Sequence, residues 1–165
     1  MGSNVTPLPT KAGKSAGLEL DEYLPFRLSV ASNGVSRLIA RAYEDRFGLT
    51  IPQWRLMAVL AEGGLTPQAA VARTAMDKVT VSRAANGLEA RHLIARTASP
   101  SDGRSHILAL TETGRRLHGE IAPLALAYEA ALLTGLAPAE VAQLKRLLQR
   151  LEAAAARLSG ETPTR

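Results

Sequence analysis

The chain contains no cysteine. Disulfide bridges, thiolate zinc sites and cysteine redox switches are therefore excluded. No apolar run approaches the roughly 20 residues that span a bilayer, and the polar N-terminal segment does not resemble a signal peptide. These absences predict a soluble cytoplasmic protein that has no membrane partner.

Aromatic residues are also scarce, at 4% of the chain, although 46% of the residues are hydrophobic. Alanine and leucine supply most of that fraction, and this balance favours closely packed helices. Twenty Lys and Arg against fifteen Asp and Glu give a net charge of +5. The basic excess suggests a polyanionic partner, although many soluble proteins of this charge bind no polyanion.

The two ends of the chain are predicted to be helical, apart from a flexible N-terminal arm over residues 1–20. Apolar residues recur every three or four positions from about Glu22 to Phe47, which indicates one long helix. Two further helices are expected after residue 110, and Pro123 should kink the first of them. Residues 21–48 and 111–160 therefore form a predicted helical region.

The middle of the chain, residues 49–110, changes pattern from helices to strands. Thr50, Thr66 and Asp77 can each cap a short helix. Residues 94–98 and 106–110 are short extended segments, and the turn-forming residues 99–105 separate them. This order predicts a mainly α protein with a small β-hairpin wing, which is a winged helix-turn-helix.

The helix that begins after Asp77 is the predicted recognition helix, because its polar residues share one face. Arg83 could contact a guanine edge and Asn86 an adenine edge in the major groove. Ser82 suits a base or a phosphate, whereas Lys78 suits a phosphate.

The hairpin loop carries a second set of candidates. Arg104 could enter the minor groove, with Asp102 orienting its guanidinium. The remaining predicted DNA-binding residues are Thr66, Gln68, Arg73, Thr80 and Ser105. For Lys78 and Arg73 the alternative is an ordinary charged surface, since any exposed helix carries such residues.

An ordered set of short motifs gives the sequence a family resemblance. The chain resembles the MarR family of regulators through residues 48–55 (GLTIPQWR), 80–89 (TVSRAANGLE), 93–96 (LIAR), 102–104 (DGR) and 110–114 (LTETG). The resemblance covers about residues 24–158. It implies a homodimer built from the first and last helices, a pseudopalindromic double-stranded DNA operator, and repression that a small ligand relieves.

Two residues depart from the family pattern. His92 stands where the family commonly has glycine, at a position expected to have a positive φ. Ala137 stands where a capping serine is common, which should weaken the start of the last helix by about 1 kcal/mol.

A ligand site is expected from the same resemblance, in a cleft whose walls come from the first, second and fifth helices. Its candidate residues are Arg27, Ser29, Asn33, Trp54 and His118, which would suit a small aromatic carboxylate. The alternatives are that Trp54 belongs to the core and that the Ser and Asn residues are simply solvated.

No catalytic or metal site is predicted. The three histidines lack metal-ligand spacing, and no nucleophilic triad, carboxylate pair or phosphate loop can be assembled. We therefore expect no enzymatic activity and no cofactor. A regulator without a ligand, an activator and a winged-helix module that binds proteins remain alternatives to a ligand-responsive repressor.

Overall fold

A computed structural model describes residues 17–98 and 106–160 of the chain. These residues form six helices and one antiparallel hairpin, which confirms the predicted fold class. The elements, in chain order, are α1 (Leu24–Phe47), α2 (Ile51–Ala61), α3 (Pro67–Thr74), α4 (Lys78–Ala90), β1 (Ile94–Ala98), β2 (His106–Leu110), α5 (Glu112–Leu132) and α6 (Pro138–Ser159).

Side-chain caps fix where four of the helices begin. The hydroxyl of Thr50 accepts a bond from the amide of Gln53, and the Gln53 side chain accepts one from the Thr50 amide. Thr66, Asp77 and Thr111 each accept a bond from the amide three residues further on, at 3.2, 2.8 and 3.0 Å. Each bond satisfies an amide that the helix itself leaves unpaired, so the predicted caps at Thr50, Thr66 and Asp77 are confirmed.

The junction between α1 and α2 is a tight turn at Gly48, whose φ of 61° is left-handed. The Gly48 amide donates to the carbonyl of Glu44 at 3.0 Å. The guanidinium of Arg91, the residue that follows α4, donates to the carbonyls of Phe47 and Gly48 at 3.0 and 2.8 Å. Arg91 therefore ties the end of α1 to the end of α4.

The hairpin pairs Ile94 with Leu110 and Ala98 with His106. Leu65, between α2 and α3, adds an antiparallel bridge to Leu108, with amide-to-carbonyl distances of 3.0 and 2.8 Å in the two directions. This bridge was not predicted, because one extended residue leaves no periodic signal. It fastens the hairpin to the helix-turn-helix.

The core lies among α2, α4 and the hairpin, and Tyr43 of α1 and Ile121 of α5 also reach it. Burial of apolar surface in this cluster supplies the main driving force that holds α4 in place. Its members are Tyr43, Leu49, Leu56, Met57, Leu60, Ala70, Val81, Ala84, Ala85, Leu88, Leu93, Ile94, Leu108, Leu110 and Ile121.

The start of α5 packs directly on the residues that precede β1. The amide of Thr111 donates to the carbonyl of Leu93 at 3.0 Å, and its hydroxyl donates to the carbonyl of His92 at 2.7 Å. A Cβ atom at the buried Gly114 would lie 2.0 Å from the Leu93 carbonyl oxygen. Only glycine fits there without backbone movement.

Among the residues that the structure describes, two that are not glycine have left-handed backbones. His92 has a φ of 55°, as its place in the motif predicts, and Ala75 at the end of α3 has a φ of 52°. A Cβ atom disfavours this conformation, so both positions carry local strain.

The chain divides into two compact units. One comprises residues 28–129 and contains the core, and the other comprises the described residues 17–27 and 130–160. The division into a DNA-binding domain at 49–110 and a dimerisation region on either side stays a prediction, since compactness does not define function. Helix α5 runs through Pro123, and a kink there also stays a prediction.

Ala137 is the N-cap residue of helix α6, and it provides no side-chain cap. The carboxylate of Glu140 accepts a bond from the Ala137 amide at 2.7 Å. One of the two bonds of a capping box is thus present, from the N-cap amide to the Glu140 side chain. The other bond is missing, because the alanine side chain has no oxygen that could accept from the Glu140 amide.

Candidate nucleic-acid interface

Helix α4 is anchored at its first turn and along one face. The carboxylate of Asp77 accepts bonds from the Thr80 hydroxyl at 2.6 Å and from the Thr80 amide at 2.8 Å. These bonds hold the pKa of Asp77 below its usual value. Val81, Ala84, Ala85 and Leu88 are buried, as the pattern predicts.

The opposite face of α4 is open to solvent. Lys78, Ser82, Arg83 and Asn86 are all exposed. Among the residues that the structure describes, Arg83 forms no ion pair. An exposed helix face with a free guanidinium and small polar groups is suited to the floor of the major groove.

Three other predicted DNA-binding residues already have partners within the protein. The Thr66 hydroxyl caps α3, and the Thr80 hydroxyl donates to Asp77. The Arg73 guanidinium forms an ion pair with Glu62, just after the end of α2. DNA contacts by these side chains remain predictions. An Arg73 that contacted DNA would do so while paired with the carboxylate of Glu62.

An open groove of 690 Å³ is lined by residues of α3, α4 and the two hairpin strands. Four predicted DNA-binding residues line it, namely Thr66, Gln68, Lys78 and Ser82. The structure therefore brings candidates from α3 and α4 to a common surface. His106 and Arg96 also line the groove; they were not among the predicted site residues.

Arg96 lies between the wing and the recognition helix. Its Nε donates to Glu89 Oε2 at 2.9 Å, and its terminal nitrogen donates to Asn86 Oδ1 at 2.6 Å. The contact between Arg96 and Glu89 is also an ion pair. This pair was not predicted from the sequence; both residues belong to segments that carry the family resemblance, and that membership is the one signal that could have drawn attention to them.

The predicted wing-tip residues Asp102, Arg104 and Ser105 lie outside the described residues. Their DNA contacts stay predictions.

The predicted ligand residues Trp54 and His118 are in direct contact. Their rings stack, with centroids 5.4 Å apart and planes 18° apart, and Tyr43 lies 5.2 Å from Trp54 on centroids. Burial lowers the pKa of His118. Burial, followed by the neighbouring Tyr128, raises the pKa of Tyr43.

Two of the other predicted ligand residues precede Tyr43 on α1 by ten residues or more. Ser29 and Asn33 are exposed on α1. Asn33 is ten residues before Tyr43, which is about 15 Å along a helix axis. Arg27 belongs to the other compact unit. The structure thus brings together two of the five candidates, and a shared ligand site stays a prediction.

Within residues 17–98 and 106–160, no group of three His, Asp or Glu residues could hold a metal ion. Over the same part of the chain, no helix is both long and apolar enough to cross a membrane.

Several solved structures that resemble this chain are transcriptional regulators. The chain is 32% identical to a probable transcriptional regulator from Pseudomonas aeruginosa, with a TM-score of 0.70 and coverage of 81% of this chain and 99% of that one. It is 28% identical to Bordetella bronchiseptica BpsR, with a TM-score of 0.76 and coverage of 82% and 97%. DNA binding by that protein is regulated by 6-hydroxynicotinic acid.

A third similar structure is that of a regulator of the MarR family. A MarR/EmrR family transcriptional regulator from Acinetobacter sp. ADP1 is 26% identical, with a TM-score of 0.80 and coverage of 85% and 99%. Residues 47–105 match the model of the MarR family. Fold and sequence together define a winged-helix transcriptional regulator. The chain belongs to the MarR family.

Proposed function

We propose that this MarR-family protein is a sequence-specific double-stranded DNA-binding repressor, and not an enzyme, that acts as a homodimer. Its operator is pseudopalindromic, and a small aromatic carboxylate releases it. The observation that carries the DNA-binding part is the exposed polar face of α4. The opposite face of this helix is buried in the core, and Asp77 caps its first turn.

Arg83 is the central residue of this proposed contact. Arg73 and Arg96 are occupied by carboxylates, whereas Arg83 is exposed and forms no ion pair with the described residues. Its guanidinium can therefore donate two bonds to a guanine edge without breaking a protein contact.

The test compares Arg83→Ala with Arg146→Ala. Both changes remove one exposed positive charge, and Arg146 lies on α6, opposite the apolar stripe of that helix. A binding sequence is first selected from random duplexes, and affinities are then measured by fluorescence anisotropy. Arg83→Ala should weaken binding roughly 5- to 150-fold and relax preference at one base pair. Arg146→Ala should bind as the wild type does. Equal affinity of the two variants would show that α4 is not the recognition helix.

Unburied apolar side chains support the proposed dimer. Helix α6 has no buried residue, yet Leu144, Leu147, Leu151 and Leu158 line it. Such a stripe is stabilised by packing against other apolar helices, and each leucine that becomes fully buried contributes about 1.5–3 kcal/mol. A second copy of the chain supplies this cover and places two recognition helices in successive major grooves, about 34–36 Å apart.

The proposed effector rests on similarity and on the aromatic cluster. BpsR, whose DNA binding responds to 6-hydroxynicotinic acid, is a relative with the same fold. In this chain, Trp54 and His118 are the proposed aromatic ligand groups, and their rings are in contact. Arg27, Ser29 and Asn33 are proposed as polar ligand groups from the sequence alone. The test adds 6-hydroxynicotinic acid and other small aromatic acids to the complex with the selected duplex. Release of the duplex by one of them supports the effector. Unchanged affinity across the panel would favour a regulator without an aromatic-acid ligand.

A further inference from the structure

A large apolar side chain lies on the exposed face of α4. Of the three large apolar residues in this helix, Val81 and Leu88 are buried, whereas Val79 exposes 57% of its surface. A single exposed valine is ordinary on a protein surface, so its exposure alone assigns it no role. Its position on the helix determines what it can contact.

Val79 lies on the side of α4 that is farthest from the core. Successive residues of an α-helix are rotated by about 100°, so Val79 lies about 180° around the axis from Leu88, nine residues later. Leu88 is fully buried. By the same rotation, Asn86 lies about 20° from Val79 on one side and Arg83 about 40° on the other. Val79 is therefore at the centre of the exposed face, between two side chains that are proposed to contact bases.

Val79 also lies at the N-terminal end of the helix. It is the second residue of α4, one turn before Ser82 and Arg83. In helix-turn-helix proteins, the N-terminal residues of the recognition helix contact the base edges. The centre of the exposed face in this turn is thus the part of α4 that would approach the floor of the major groove.

The major groove offers one kind of apolar partner to an aliphatic side chain. The edges of guanine, cytosine and adenine present hydrogen-bonding groups, and a valine against these groups displaces water without replacing its bonds. Thymine presents a 5-methyl group beside its keto oxygen. Contact between the valine and this methyl group removes apolar surface of both partners from water.

We infer that Val79 is a specificity-determining residue that recognises the 5-methyl group of a thymine in each operator half-site. This inference rests on the proposed DNA-binding function, with α4 as the recognition helix. It adds an apolar contact to a face for which only hydrogen-bonding residues were predicted from the sequence.

The experiment removes the methyl group from the DNA and the isopropyl group from the protein separately. Each thymine in one half-site of the selected duplex is replaced in turn by deoxyuridine, which lacks the methyl group but keeps every hydrogen-bonding group. Fluorescence anisotropy then gives the affinities of the wild type, Val79→Ala and the control Arg83→Ala. Alanine favours helix formation, so Val79→Ala should fold, and thermal melting followed by circular dichroism checks this.

At one thymine, the wild type should bind the deoxyuridine duplex roughly three- to fivefold more weakly, as expected from the burial of one methyl group. Val79→Ala should bind the thymine and deoxyuridine duplexes equally at that position. Arg83→Ala should bind both duplexes more weakly but keep the difference between them, because its guanidinium does not contact the methyl group.

Three results would overturn the inference. They are a wild-type affinity that no deoxyuridine substitution changes, a deoxyuridine effect that is equally large in Val79→Ala, and an effect that disappears in Arg83→Ala. The last of these would assign the effect to the alignment of the whole helix. A wild type that selects no sequence would instead refute the proposed function, so the two failures are distinguished.

Discussion

Replacement of Gly114 by alanine should destabilise the protein by about 3 kcal/mol. The new Cβ would lie 2.0 Å from the carbonyl oxygen of Leu93, so the start of α5 or the residue before β1 must move by about 1 Å. Forcing an extra carbon into a packed site costs about 1–3 kcal/mol. The movement also disturbs the amide and hydroxyl bonds of Thr111, at about 0.5–1.5 kcal/mol each. Better helix propensity returns at most about 1 kcal/mol.

Gly119 provides the matched control for this change. It lies in the same helix, and an added Cβ would meet no atom within 4 Å. Gly119→Ala should therefore stabilise α5 by about 0.5–1 kcal/mol. Urea unfolding followed by circular dichroism, at one fixed protein concentration because a dimer's stability depends on it, compares the two variants with the wild type. A Gly114→Ala protein as stable as the wild type would show that α5 does not pack on Leu93 as described.

Three further predictions concern the dimer, the strained turn and pH. Leu144→Ala combined with Leu151→Ala should yield monomers in sedimentation velocity, and an intact dimer would refute the proposed interface. His92→Gly should relieve the left-handed strain and stabilise the fold by up to about 1 kcal/mol in urea unfolding; a loss of stability would contradict this account of the turn. His118 has a lowered pKa in the folded protein, so the unfolded chain binds more protons and stability should fall as pH decreases below about 6.5. His118→Phe, which keeps a ring against Trp54, should reduce this decrease, and an unchanged pH profile would assign it to other groups.

The local rules of helix and turn formation predicted most of the fold from the sequence. Thr50, Thr66 and Asp77 carry their own capping information, because the bond that each makes is only three residues long. The positive φ of His92 followed from its place in a motif. Such features depend on residues that are close together in the chain, so the sequence alone is enough to predict them.

Features that depend on distant residues were not predictable in the same way. The bridge between Leu65 and Leu108 joins residues far apart in the chain, and so do the bonds from Arg91 to the end of α1. The recognition helix was predicted as an element with a buried and an exposed face. That Arg96 would occupy the Asn86 oxygen required the actual distance between β1 and α4.

The most direct test of the central claim is the titration of the purified protein with the duplex it selects from a random pool, at two salt concentrations. The account predicts a pseudopalindrome with about 10 base pairs between half-site centres, two chains per duplex, and discrimination against a scrambled duplex that persists as overall affinity falls with salt. Weak binding that is equal for both duplexes and disappears at the higher salt concentration would contradict it.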